Sequence, residues 1–307
     1  MKLGLSQACY RWVFYPHLRR DTAAFRLSGE RLPYFFSGPV VVDDGKAVEW
    51  LLRRCGELGL QSLYATAEFF ESQAHAADMR RFGADQGVTI ISGANANWVA
   101  RADEWVRERE RYISAMPIAV AAGATILCTT HAASATHNHF TKSPPIEQQI
   151  DIMVQNFADV APVAADHGLV IAFENHQDYR ASEIARVIEG VGSKALRANF
   201  DTANPVSVIE DPLDAANSIA CHAVMAHLKD FRIQASTVIG EPRILWCPIG
   251  RGNVELKKVL RVLQNGVPDP ANFHVSLEVA PPPDDDPDLW VRDSIDWTRK
   301  NLGEFFA

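Results

Sequence analysis

Four residues of the kinds that bind metals or move protons each close a short apolar run: Glu174, Asp201, His227 and Glu278. The runs cover 169–174, 196–201, 224–227 and 273–278, and the first two intervals between their last residues are 27 and 26 positions. The third is 51, and its excess is a Pro- and Gly-punctuated stretch that reads as an inserted loop. In a barrel of parallel strands the carboxyl ends converge on one rim, so these four side chains would face one another across a single mouth. Three carboxylates and an imidazole brought to one point repel unless protons or a cation compensate the charge. A divalent metal does so economically. An oxygen-rich set with one nitrogen suits Mn²⁺, and also Mg²⁺ or Co²⁺, better than a structural zinc, which would call for cysteines. Any single strand-terminal acid is as readily a helix N-cap or a surface residue; four at successive strand ends are not.

The elements that must position this set follow from hydrophobic periodicity. Lys2 to Cys9 serves as a first strand, and 61–67, 88–93 and 124–130 read as strands two to four. Between them, 47–58 carries Val48, Leu51, Leu52, Cys55 and Leu58 on one helical stripe, while 71–86, 100–123 and 146–168 are further helices. Ile150, Met153, Phe157 and Val160 form the buried face of the last of these. Helices over 181–191, 211–221, 254–263 and 286–306 follow the four strands that carry the acids and the histidine. The strand runs are nearly continuously apolar, as expected when both faces of a sheet are covered. Eight strands alternating with helices predict an α/β fold, a (β/α)8 TIM barrel forming one domain over 1–307. The departure is an insertion after strand one, residues 10–44, rich in aromatics and arginines and without a sustained period. So long a segment is a lid, a partner-binding segment or an oligomer contact. No glycine-rich phosphate fingerprint follows the first strand, which counts against a dinucleotide fold.

Composition narrows the partners. The 307 residues are 47% hydrophobic, ample for a core, and the net charge of −8 is spread over both halves, which opposes a nucleic-acid surface. Small polar or neutral substrates fit better. The five cysteines, Cys9, Cys55, Cys128, Cys221 and Cys247, lack CxxC spacing and read as buried free thiols of a reducing cytosol. No basic and apolar leader opens the chain, and no apolar run reaches the ~18 residues of a membrane span. A cytoplasmic protein is expected.

The four residues and their surroundings resemble the xylose-isomerase-like sugar isomerase/epimerase superfamily. The matching stretches are Phe-Glu-Asn-His (173–176), Phe-Asp-Thr-Ala-Asn-Pro (200–205), His-Leu-Lys-Asp (227–230) and Pro-Ile-Gly-Arg-Gly-Asn-Val-Glu (248–255). The likeness is close over about 165–280 and architectural before that. It implies a metal held by Glu174, Asp201, His227 and Glu278, and proton abstraction next to a sugar carbonyl, with Glu174 and Glu278 moving the proton. One departure is Asn204, which stands where the 3-epimerases of the superfamily usually have histidine.

Further rim candidates lie after strand four, where His131, His137 and His139 fall within nine positions. A solvated loop would explain each alone; together they could supply an acid or base apart from the metal carboxylates. We take His137 and His139 as catalytic candidates, and His131, His176, Lys229 and Arg232 as substrate contacts. The first functional expectation is an isomerase or epimerase acting on a sugar or keto-sugar. The alternative is a lyase that expels a group β to the carbonyl, similar to the catalytic α subunits of C-glycoside deglycosidases, which act on 3-keto-glycosides and pair with a small β subunit. A sugar dehydratase is a further member of the same set. An abasic-site endonuclease would need histidines where this chain has 66–68, Asn95 and Asn204. A non-catalytic barrel binding sugars or a partner would hold no metal. A small β subunit or a homo-oligomer are the partners to be expected.

Overall fold

The computed structural model describes residues 1–10, 46–235, 243–282 and 285–306, with the backbone of two short antiparallel strands, Ala24–Phe25 and Arg31–Leu32. The aromatic-rich insertion expected over 10–44 therefore lies almost wholly outside the described residues. Eight strands close into a parallel barrel: β1 (Lys2–Ser6), β2 (Ser62–Thr66), β3 (Thr89–Gly93), β4 (Ile126–Thr129), β5 (Val170–Glu174), β6 (Leu196–Asp201), β7 (Ala223–Leu228) and β8 (His274–Leu277). Each pairs with its neighbours in sequence, and β1 closes the ring by pairing with both β2 and β8. The helices are α1 (Ala47–Glu57), α2 (Gln73–Asp85), α3 (Ala102–Ser114), α4 (Met116–Ala121), α5 (Ile146–Asp166), α6 (Ala181–Val191), α7 (Pro212–Ile219), α8 (Leu256–Gly266) and α9 (Pro287–Leu302). This is the (β/α)8 TIM barrel that the alternation of runs predicts.

The stripes expected on the helices are the faces that bury. Val48, Leu51, Leu52 and Cys55 of α1, and Ile150, Met153, Phe157 and Val160 of α5, all pack beneath the helical layer. Inside the ring, Tyr64, Ile91, Cys128, Ala172 and Met225 form a separate plug that closes the barrel below its mouth. The tightest aromatic packing is at Trp98, fully buried, whose ring stacks on Phe157 with centroids 3.8 Å apart and whose Nε1 donates to Thr129 Oγ1 at 3.0 Å.

Three expectations are corrected. The helix read over 100–123 is two, broken at Ala115, with Pro117 in the first turn of α4, where a missing N–H costs nothing. Cys221 is exposed, unlike the other four thiols, because it falls in a short 3₁₀ turn outside the packed face of α7. The stretch after β7 is not a plain loop but an antiparallel hairpin, Asp230–Gln234 with Arg243–Cys247, whose register sets Phe231 opposite Trp246 and Ile233 opposite Ile244.

A single carboxylate staples that hairpin to the barrel. Asp230 Oδ2 accepts the backbone N–H groups of Gly250 and Gly252, both at 2.9 Å, and Oδ1 accepts those of Phe231 at 2.9 Å and Val254 at 3.2 Å. Glycine is required at 252, since a Cβ there would lie 2.2 Å from Asp230 Oδ1. Removing the Trp98 side chain leaves a large void beside Phe157, and buried aromatic truncations cost about 3–5 kcal/mol. Trp98→Ala is therefore expected to lower the unfolding free energy by that amount in urea titrations, without changing the far-ultraviolet signature of the native state.

Candidate metal centre

Strand geometry delivers the four donors to one place. Glu174 and Asp201 are the last residues of β5 and β6, His227 is the last but one of β7, and Glu278 follows β8 directly. Asp201 pairs in register with His227, and Glu278 N–H donates to the Leu228 carbonyl at 3.0 Å, which places its side chain beside the same ladder. One donor atom from each of Glu174, Asp201, His227 and Glu278 lies within 4.8 Å of all the others, and all four side chains are buried. His227 Nδ1 is 2.8 Å from Glu278 Oε2, 3.2 Å from Glu174 Oε2 and 3.9 Å from Asp201 Oδ2.

Lys229 completes the cluster. Its buried ammonium sits 2.8 Å from Asp201 Oδ2 and 3.2 Å from Glu278 Oε2. Its backbone is fixed by Thr202, whose hydroxyl accepts from Lys229 N at 2.9 Å and donates to Lys229 O at 2.7 Å. Burial alone would discharge these groups, yet the charges hold one another. Burial pulls the His227 imidazole down, but Glu174 and Glu278 outweigh it and push it up to about 10. Burial likewise disfavours the Lys229 ammonium, and Asp201 with the two glutamates raises it nonetheless. Glu174 resists its own burial because His227 and Lys229 hold it below the ordinary carboxyl value, whereas burial, reinforced by the neighbouring glutamates, leaves Asp201 raised.

Three asparagines orient the donors. Asn204 Nδ2 donates to Glu174 Oε1 and Asn199 Nδ2 to Glu174 Oε2, both at 3.1 Å. Asn175 Oδ1 accepts from Asp201 N at 2.7 Å. Asn199 is the residue that the strand-end reading missed; lying two positions before Asp201, it shares its inward face by the period of a strand. Below the donors, Cys128 Sγ lies 3.9 Å from Glu174 Oε2, and the Tyr64 ring is 5.1 Å from that of His227.

The donor set fits a divalent ion. Three carboxylates and one imidazole leave room for the charge of a dication, and ligation would require His227 to surrender the proton that the carboxylates now hold on it. The alternative trio of Cys128, Glu174 and His227 fits poorly. Burial and the Glu174 carboxylate push the Cys128 thiol well above its ordinary value, which opposes the thiolate that ligation needs.

The other rim candidates separate. His176, Lys229, Arg232 and Glu278 line one cavity of about 940 Å³ at the mouth. The three strand-four histidines are not among its described lining residues. His131 is buried, its Nδ1 accepting from Trp98 N at 3.3 Å. His137 Nδ1 bonds Thr136 Oγ1 at 2.9 Å, and its ring lies 6.3 Å from that of His131. His139 Nδ1 is 2.7 Å from Glu183 Oε1 on the first turn of α6. His176 Nδ1 lies 3.8 Å from Asp178 Oδ2, a fully buried carboxyl that burial pushes up to about 6. Arg232 pairs with Leu245 across the hairpin, and its guanidinium has no hydrogen-bond or ion-pair partner among the described residues.

The model of the xylose isomerase-like TIM barrel family matches residues 52–301. The chain belongs to that family. Among solved structures, a D-psicose 3-epimerase determined in the presence of D-fructose superposes with a TM-score of 0.68 at 15% identity, covering 99% of this chain and 100% of that one. The probable 3-DHS dehydratase AsbF from Bacillus anthracis gives 0.68 at 13% identity over 98% and 100%. The IolI protein with a bound zinc atom gives 0.66 at 13% over 100% of both chains. At these identities the likeness is one of fold. The uncharacterized protein YihM of Escherichia coli (strain K12) is 28% identical over 114 residues, 36% of this chain, and the match spans only 33% of that relative's length. Among the described residues no helix is long and apolar enough to cross a membrane.

The buried His131 makes this xylose isomerase-like barrel sensitive to acid. Burial first, then His137 and His176, push its imidazole down to about 3, whereas in the unfolded chain it titrates near 6.5. As pH falls below 6.5, the unfolded chain takes a proton that the native state refuses, so stability present at neutral pH is lost toward pH 3. Between pH 7 and pH 5 the wild type is expected to lose about 2 kcal/mol more unfolding free energy than His131→Gln. Equal losses in paired urea titrations at the two pH values would contradict this.

Proposed function

We propose that the protein is a divalent-metal-dependent enzyme that removes and returns a proton next to the carbonyl of a sugar or keto-sugar, in the manner of an isomerase or epimerase. The observation that carries this reading is the convergence of Glu174, Asp201, His227 and Glu278, all buried, at the carboxyl-terminal mouth of the barrel. That end is where TIM-barrel enzymes place their chemistry. The similarity of fold to the D-psicose 3-epimerase, and to the IolI protein with its zinc, supports the same reading.

A divalent ion held by these four residues, Mn²⁺ or else Mg²⁺ or Co²⁺, would act as a Lewis acid on a substrate carbonyl. The residues of the chain supply the proton transfer. β6 and β7 lie between β5 and β8, so Glu174 and Glu278 stand at the two ends of a four-strand arc. One carboxylate can take the proton from a carbon on one face of the substrate, and the other can return it on the opposite face. Asn199 and Asn204 hold both oxygens of Glu174, which fixes the direction in which it works. Lys229, buried against Asp201 and Glu278, provides a fixed positive charge beside the oxygen on which negative charge develops. His176 and Arg232 face the same cavity and are assigned to substrate hydroxyls.

A second reading uses the same proton removal and then loses a group β to the carbonyl, a lyase step such as the C-glycoside deglycosidases perform. It is favoured by Asn204, a neutral amide bonded to Glu174 at the place of the usual epimerase histidine, and by the fold likeness to the dehydratase AsbF.

Metal analysis after loading with Mn²⁺ is expected to give one ion per chain, and Asp201→Asn to lower that stoichiometry. In D₂O, the loaded protein should exchange deuterium into the carbon next to the carbonyl of one or more free keto-sugars. Glu278→Gln should slow this by about 10²–10⁴-fold. Full exchange by that variant, or a protein that takes up no divalent metal, would overturn the reading. Release of an aglycone from substituted keto-sugars would select elimination over epimerisation.

A further inference from the structure

We propose that the cavity beside the metal centre is a subsite for a neutral, ring-bearing group attached to the sugar, so that the natural ligand is a glycoside or similarly substituted sugar and not a free monosaccharide. This inference rests on the sugar-enolising function proposed above and specifies its substrate class.

Size is the first argument. The cavity measures about 940 Å³, at the upper end of the roughly 300–1,000 Å³ that accommodate a drug-sized ligand. Only its floor, His176, Lys229 and Glu278, belongs to the metal end. Its walls are the hairpin residues Ile244 to Cys247, the segment Ala280 to Pro282 after β8, and Trp290 of α9. Position is the second argument. Lys229 Nζ lies 3.2 Å from Glu278 Oε2 and 5.6 Å from the centre of the Trp246 ring. The aromatic wall therefore begins where the donor set ends, within the reach of one substituent on a sugar bound at the donors. Indole faces beside a polar site favour flat apolar rings and the C–H faces of sugars, which bury area without needing a charge.

Charge decides the chemical character of that group. The described lining residues include three cations, Lys229, Arg232 and Arg251, and three acids, Glu278, Asp285 and Asp293. Arg251 is bound to Asp293 through two contacts of 2.9 and 3.1 Å, and Lys229 is held by Asp201 and Glu278. Trp290 Nε1 donates to Asp285 Oδ2 at 2.9 Å. Arg232 alone remains, enough to bond a hydroxyl or carbonyl oxygen. With the ion pairs cancelled, Arg232 is balanced by Asp285, so the described lining offers a phosphate dianion no net positive charge and a phosphorylated sugar is disfavoured.

The test uses the full chain loaded with Mn²⁺, and pairs of 4-nitrophenyl and methyl β-glycosides of glucose and galactose, with affinities read by calorimetry and tryptophan fluorescence. In at least one pair the aryl glycoside is expected to bind about tenfold tighter. Trp246→Ala should bring that ratio close to one, while Trp246→Phe, which keeps a ring, should retain most of it; metal content is measured on the same samples. Equal affinities within both pairs, no binding by either pair, or a preference that survives Trp246→Ala would overturn the subsite. Tighter binding of glucose 6-phosphate than of methyl glucoside would overturn its neutrality. Deuterium exchange into free keto-sugars with no aryl preference removes the subsite and leaves the enzymatic reading standing; absence of exchange with every keto-sugar removes both.

Discussion

The structure depends on holding oxygens of three buried carboxylates within 4.8 Å of one another. Unpaired, each would be expensive to bury, and together they would repel. The fold compensates with two cations, His227 and Lys229, placed on one strand and the residue after it, so that β7 carries the positive charge that β5, β6 and β8 require. Such a cluster is a poor source of stability, because burying charge costs about as much as the pairing returns. It sits at the mouth of a barrel, with Asn199 and Asn204 fixing the two oxygens of Glu174 and Asn175 holding the Asp201 backbone, so its charges are organised for something other than stability.

How much of this is legible in the sequence follows from which interactions are periodic. The strands announce themselves because both faces are covered, and their runs stop at the rim; Glu174, Asp201, His227 and Glu278 are visible for that reason alone. Asn199 is legible only after β6 is known to be a strand, since its inward direction comes from its spacing to Asp201. The membership of Lys229 in the donor cluster is not periodic at all. It follows from the Thr202 hydroxyl clamping the Lys229 backbone at both N–H and C=O, a contact between two loops 27 residues apart.

The strand-four histidines show the opposite limit. His131, His137 and His139 are alike in sequence, yet one is sealed under the Trp98 backbone, one bonds its neighbour Thr136, and one is held by Glu183 at the start of α6. Their differences come from tertiary partners. The hairpin after β7 was hidden for a related reason. Its strands are half-exposed, Ile233 and Ile244 included, so they lack the continuous apolar signal of the barrel strands.

That hairpin also separates the parts of the site that can vary from those that cannot. It leaves the barrel immediately after Lys229 and is anchored through the four backbone N–H groups gathered on Asp230. Glu278, by contrast, is fixed by its own bond to Leu228 inside the barrel ladder, a contact in which the hairpin takes no part. Lengthening or re-siding the hairpin would therefore change what borders the cavity without moving the four donors. The four strand ends are therefore readable in the sequence, while the cavity walls, Trp246 and Arg232 among them, sit on an element whose half-exposed strands carry no such signal.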